Sequence, residues 1–371
     1  MKADKIVLRR MQLDLKAPFQ TSFGTTTVKD FYVTEVHTKD HIGYGECVAD
    51  LDPLYSEETV GTCWHISEDF LIPWLFEQGE FAHPDDISKL FAPIRRNNMA
   101  KSALEGAYWD LFAKQQGISL AKAIGGTKEK IDVGVSIGIQ KTLDDMFRLV
   151  DTFLNQGYRR MKIKIKPGQD VEVMTALREK FGDIPMMADA NSAYTLDDID
   201  IFKELDKLNL LMIEQPLAHD DIFDHAKLQK QLKTPICLDE SIHSVEDARK
   251  AIEMGSTRTI NIKIGRVGGI TEAKKIHDLC EAHNIPVWCG GMLESGIGRA
   301  HNIAITSLSN FKIPGDTSGS SRYWNEDIIN PEVIVSPDGT ITVPTEPGIG
   351  YQPVPALLDK YTVAKKEYVK G

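Results

Sequence analysis

The sequence has no apolar run long enough to cross a bilayer. Its longest, around Phe70–Phe76, is short and is broken by Pro73, whereas a span needs ~20 apolar residues. The N-terminus, MKADKIVLRRMQLDL, carries charges where a secretory signal needs its apolar stretch. Cysteine is scarce: Cys47, Cys63, Cys237, Cys280 and Cys289 are scattered and never spaced C-x-x-C. That argues against a disulfide framework and against a zinc ribbon. Each is expected as a small buried apolar residue in a reducing cytoplasm. Positive charge is also short. Lysine and arginine number 43 against 54 acids, a net charge of −11. Such a chain is a poor partner for nucleic acid or an anionic membrane. No G-x-G-x-x-G follows a strand-like run, and neither a Walker loop nor G-x-S-x-G occurs, which removes the common nucleotide and serine-hydrolase signatures.

The 371 residues, 42% hydrophobic and 26% charged, suit a globular protein of two domains or one large domain with an appendage. Residues 1–125 read as strands followed by helices, an α+β unit. Lys5–Leu15 and Asp30–His37 are β-rich. Gly43-Tyr44-Gly45-Glu46 punctuates a third strand, and Asn98–Gln116 is the clearest helix. The Thr- and Gly-bearing stretch 17–28, with Phe19 and Phe23, is expected as a mobile loop that closes over a site. After Gly126 the rhythm changes. Eight β-rich runs (Ile131–Ile139, Met161–Ile165, Met186–Asn191, Leu211–Gln215, Ile236–Glu240, Thr259–Ile264, Pro286–Cys289, Phe311–Ile313) alternate with segments of helical pattern. Three helix starts repeat one capping chemistry: Thr142 with Asp145, Thr195 with Asp198, and Ser244 with Asp247. The alternation predicts a parallel (β/α)8-type barrel over 126–339, with a doubly wound open sheet as the alternative.

Five of these runs end in a charged residue: Lys164, Asp189, Glu214, Asp239 and Lys263. They are separated by 25, 25, 25 and 24 residues. One βα unit per step puts every charge at the same height, at the strand C-terminal ends where barrels build their sites. Asp189, Glu214 and Asp239 form an arc of hard oxygen donors suited to Mg²⁺ or Mn²⁺; an ion-pair network with the lysines is the competing reading. Lys164 and Lys263 fall four strands apart, on opposite walls. Two such bases flanking a carbon beside a metal-held carboxylate describe proton abstraction α to that carboxylate. Lys162, Lys164 and Lys166 share one strand face, and the ladder selects Lys164 as the base. Lys162 lies one layer deeper, to support Lys164 or bind a carboxylate. A Schiff-base aldolase on Lys164 or Lys263 is a rival chemistry, against which the three acids argue. A non-catalytic binding barrel is another.

At these residues the chain resembles the enolase superfamily, in the group of o-succinylbenzoate synthases and N-acylamino acid (N-succinylamino acid) racemases. The resemblance rests on Lys162-Ile163-Lys164, Asp189-Ala190-Asn191, Glu214-Gln215-Pro216, Leu238-Asp239-Glu240-Ser241, Asn261-Ile262-Lys263 and the stretch Gly290–Arg299. Gly43–Glu46, Ala103–Glu105, Trp109-Asp110 and Pro347–Gly350 match as well, so it spans nearly the whole chain. It implies a (β/α)7β TIM-like barrel with an α+β cap made of the N-terminal segment and the tail 340–371. It also implies Asp189, Glu214 and Asp239 as metal ligands and Lys164 and Lys263 as the catalytic pair. Substrate contacts are implied at Ser136, Asn191, Gly291 and Met292, with Phe23 and the segment near Tyr55 closing over the site; packing inside the cap is the other role open to these aromatics. The implied activity is syn-dehydration of a succinyl-substituted cyclohexadiene carboxylate in menaquinone biosynthesis. N-acylamino acid racemisation is the alternative. The implied partner is a small carboxylate substrate, and the implied assembly is a homo-oligomer. Arg266, three residues after Lys263, either tunes that lysine or pairs with a helix carboxylate.

Overall fold

The computed structural model describes residues 1–370; Gly371, the last residue of the expected tail, lies outside them. The N-terminal unit is an antiparallel sheet of β1 (Lys5–Gln20), β2 (Thr25–His37) and β3 (Ile42–Cys47). The C-terminal strand Thr362–Val369 joins it beside β1. Alternation along β1 turns Ile6 and Leu8 into the cap's own core, with Tyr32 and Val36 of β2. The helix Asn98–Gln115 lies across this sheet and is buried along most of its length.

Gly43 and Gly45 explain the β3 motif. Neither has room for a side chain: a Cβ on Gly45 would collide with the carbonyl oxygen of Ala103, and one on Gly43 with that of Ala107. The helix therefore seats directly on the β3 backbone.

The stretch 17–28, expected as a loop, is the tip of the β1–β2 hairpin. Phe19 pairs with Thr26 and Gln20 with Thr25, and Thr21 N donates to Gly24 O at 2.9 Å. Three consecutive threonines are β-branched and extend β2, while the ladder skips between Asp14 and Phe19, around Pro18. The tip is docked on the barrel rim, with Ile139 N donating to Gln20 O at 3.0 Å.

After β4 (Lys130–Asp132) come the barrel strands β5 (Val135–Ile137), β6 (Met161–Lys164), β7 (Met186–Asp189), β8 (Ile213–Glu214), β9 (Ile236–Leu238), β10 (Thr259–Ile262) and β11 (Val287–Cys289). β5 to β11 form one parallel sheet in sequence order. The expected run Ile131–Ile139 splits in two: β4 turns away to pair antiparallel with Thr340–Thr342, and only β5 enters the barrel. The expected eighth strand, Phe311–Ile313, forms no continuous ladder, because Pro314 lacks an N–H. The segment still closes the barrel, bridging Val287 at Phe311 and Val133 at Gly315. Asp316 N donates to Cys289 O at 2.8 Å. All three expected caps form: Thr142 and Ser244 accept from the amides of Asp145 and Asp247, and Thr195 makes a reciprocal box with Asp198. The five cysteines are free and buried.

Two buried glutamates join cap to barrel by capping barrel helices from outside. Glu46 of β3 accepts from Ser295 N (3.0 Å), Ser295 Oγ and Gly298 N (2.8 Å) at the start of the helix Gly296–Thr306. Glu105 accepts from Ile270 N (2.8 Å) and Thr271 N (2.9 Å) at the start of Ile270–Ala282, and from Trp109 Nε1. Each supplies the acceptors that a helix N-terminus lacks.

Because the helix meets β3 through backbone atoms that cannot swing aside, Gly45→Ala should cost about 3 kcal/mol of stability. Urea unfolding measures this; a midpoint equal to that of the parent would refute the close approach.

Candidate active site

The ladder takes its place at the strand ends. Lys164, Asp189 and Glu214 are the last residues of β6, β7 and β8, in mutual register, and Asp239 and Lys263 follow β9 and β10 directly. All five are buried. Alternation puts Lys162 and Lys164 on the inner face of β6, with Ile163 turned into the core between barrel and helices.

Lys164 Nζ donates to Asp189 Oδ2 and to Asn191 Oδ1, both at 2.6 Å. Asn191 is itself held by donation from Nδ2 to Glu240 Oε1 at 2.9 Å. Lys263 Nζ donates to Asp239 Oδ2 and to the Tyr55 hydroxyl, both at 2.9 Å. Arg266 pairs with Asp239, a strand-end acid and not a helix carboxylate, and donates from Nε to Ile242 O at 2.8 Å. Lys162 Nζ lies 3.1 Å from Asp189, 3.2 Å from Glu214 and 2.7 Å from Asp316.

The two ladder lysines have opposite electrostatics. Burial, only partly offset by Asp189, lowers the pKa of Lys164 from the ordinary lysine range. Burial opposes the charge of Lys263 too, but Tyr55, Glu240 and Glu214 outweigh it and raise its pKa. Glu214 is pushed up to about 7 by burial and by Asp189. Asp189 is held below the usual carboxylate range, since Lys164 and Lys162 overcome its burial.

Among the described residues no three acid, histidine or cysteine side chains converge as a ready-made metal cage; the ammonium groups sit on the acids instead. The donor set nevertheless fits a hard divalent cation. It consists of carboxylates from three consecutive strands; Glu214 Oε1 accepts from Asn261 Nδ2 at 2.6 Å, while the buried Oε2 makes no aligned hydrogen bond and has the Lys162 ammonium 3.2 Å away.

Ser136 on β5 is in register with Lys162, and its buried hydroxyl has no partner. Gly291 and Met292 lie in the loop after β11, where Met292 packs into the cap core. Phe23 and Tyr55 stand with ring centroids 6.4 Å apart. They line a cleft of about 640 Å³ whose wall includes Asn191 and Glu240. Phe19 points elsewhere, edge-on to Tyr323. Lys164 borders a second opening of about 190 Å³ beside Thr142 and Gln169. Sequence reasoning missed Asp316, Arg160 and Trp288, which lie beneath Lys162. Asp316 stands three residues beyond the eighth run, past Pro314, and off the 25-residue step.

Comparison with known proteins places this architecture. A sequence profile described as enolase C-terminal domain-like matches residues 145–357. One described as the N-terminal domain of mandelate racemase and muconate lactonizing enzyme matches 4–125. The chain belongs to the enolase superfamily. An o-succinylbenzoate synthase of Geobacillus kaustophilus is 59% identical over 96% of this chain and 95% of its own length. An N-succinylamino acid racemase of Amycolatopsis is 45% identical over 98% and 99%. The crystal structure of a superfamily member from Listeria innocua aligns over 100% of both chains with a TM-score of 0.96 at 46% identity.

The Tyr55 hydroxyl contacts Lys263, Arg266 (3.2 Å) and Asp239 (3.2 Å) at once. Tyr55→Phe should lower kcat/KM about tenfold, the loss of roughly one good hydrogen bond to charged groups. Steady-state kinetics beside a thermal melt checks this; unchanged kcat/KM would remove the hydroxyl from the chemistry.

Proposed function

We propose that this superfamily enzyme is an o-succinylbenzoate synthase, a lyase that syn-dehydrates 2-succinyl-6-hydroxy-2,4-cyclohexadiene-1-carboxylate. The observation that carries the reading is the unlike pair of lysines at the strand ends, with three carboxylates on the strands between them. Lys164, its charge disfavoured by burial, takes the proton α to the carboxylate. Being on one face, it then returns that proton to the departing hydroxyl, which leaves as water. Lys263 stays protonated against Asp239 and Tyr55 and stabilises the enediolate charge from the opposite face. Asp189, Glu214 and Asp239 would hold Mg²⁺, or Mn²⁺. When bound, that ion supplies positive charge that lowers the cost of the developing enediolate. Ser136, Asn191, Gly291 and Met292 line the substrate's place with Lys162 beneath, and Phe23 and Tyr55 exclude water from above.

The second reading is racemisation of N-succinyl or other N-acyl amino acids. It is favoured by the Amycolatopsis relative and by a lysine on each wall, and one site serves both reactions. The substrate is a small carboxylate. No helix among the described residues is long and apolar enough to cross a membrane. A cytoplasmic location belongs to this reading through the scattered, unpaired cysteines, and homo-oligomeric assembly through the family resemblance.

Removing the metal with EDTA should abolish turnover, and Mg²⁺ should restore it. Asp239→Asn, which deletes one anionic donor, should weaken both metal binding and activity by 10-fold or more. Full activity of that variant in metal-free buffer would sink the ligand assignment.

The lysines separate the reactions. Lys263→Arg keeps a cation that does not accept a proton, so some dehydration should survive while two-base racemisation is lost for either enantiomer. Lys164→Arg should abolish both. Dehydratase turnover and solvent-deuterium exchange at Cα of each N-succinyl enantiomer report this. Dehydration by Lys164→Arg at the parent rate would show that Lys164 is not the base.

A further inference from the structure

Beneath the ladder sits a buried group outside the catalytic set described above. Asp316 belongs to the segment that closes the barrel. Its Oδ2 is 2.7 Å from Lys162 Nζ and its Oδ1 accepts from Arg160 at 2.5 Å. Arg160 has no solvent exposure. It is also held by donation to Pro314 O at 2.7 Å and by stacking 4.7 Å over Trp288. Lys162 lies 4.9 Å from the same ring and donates to no backbone carbonyl among the described residues; its other partners are Asp189 and Glu214. Arg160 thus keeps two anchors without Asp316. Lys162 would keep only two carboxylates of the ladder.

We propose that Asp316 is a positioning residue that acts through Lys162. It draws the ammonium down toward the barrel floor and so limits its competition with a divalent cation for Asp189 and Glu214. This rests on the function proposed above. With the acid neutralised, the ammonium loses its shortest ion pair and is left to Asp189 and Glu214 alone, from which it already stands 3.1 and 3.2 Å away. Metal affinity and kcat should then fall together, in the 10- to 100-fold range typical when a ligand-orienting contact is lost.

The test is a double-mutant cycle of Asp316→Asn and Lys162→Met in the full chain. Its readouts are kcat, KM and the Mn²⁺ dissociation constant of apoprotein titrated with Mn²⁺ alone. Asp316→Asn should weaken Mn²⁺ binding and lower kcat 10- to 100-fold, with KM changing less. In the Lys162→Met background the same change should have less than a twofold further effect on Mn²⁺ binding. Additive effects, or an Asp316→Asn variant within twofold of the parent in Mn²⁺ affinity, would overturn the proposal. Asp316→Glu, which keeps the charge but shifts it by one methylene, decides by the same cycle if the asparagine variant does not fold. If the parent protein turns over neither the dehydration substrate nor N-succinyl amino acids, the proposed function falls. The Mn²⁺ cycle then decides this inference alone.

Discussion

The structure is organised around a charge balance in a place almost without water. Asp189, Glu214, Asp239, Glu240 and Asp316 face Lys162, Lys164, Lys263, Arg266 and Arg160 at the mouth and floor of the barrel, and all ten are buried. An unpaired charge there costs several kcal/mol, so each side chain is fixed by the need of another. Asp189 cannot leave Lys164 and Lys162 together, and Asp239 is gripped by Lys263 and Arg266. The barrel supplies the spacing that makes this possible: one ladder charge per βα unit, each at the C-terminal end of its strand.

The opposed surroundings of the two ladder lysines arise from what the cap contributes. Tyr55 comes from the cap and reaches the strand ends at the Lys263 side. Lys164 instead meets Asn191 on its own barrel, with Glu240 behind it. In the proposed function this asymmetry makes one lysine a base and the other a fixed cation. A modest change at either partner would shift the balance between elimination and racemisation without touching the ladder.

The ladder was legible because periodicity survives in sequence. Asp189, Glu214 and Asp239 recur at one βα unit, and alternation placed Lys162 below Lys164. Asp316 was not legible, since the eighth run is short, is stopped by Pro314 and falls off the 25-residue step. The hairpin tip was misread because Thr25-Thr26-Thr27 looks the same in an exposed strand and in a polar loop; only pairing with Phe19 and Gln20 tells them apart. Arg266 sat at a readable position, but its partner lies on another strand, and no local pattern shows which acid it meets. The double glycine of β3 was visible as punctuation, and its reason, a helix backbone pressed on the strand, is a tertiary fact.

Glu46 and Glu105 have a consequence for how the molecule comes apart. Each belongs to the cap, yet each completes the first turn of a barrel helix. Pulling the two units apart would expose bare amide groups on one side and strand a carboxylate on the other. Neither unit is a self-sufficient module. Swapping caps between relatives would succeed only where the borrowed cap carries both acids in register with the recipient's helices, and heating should melt cap and barrel in one cooperative step.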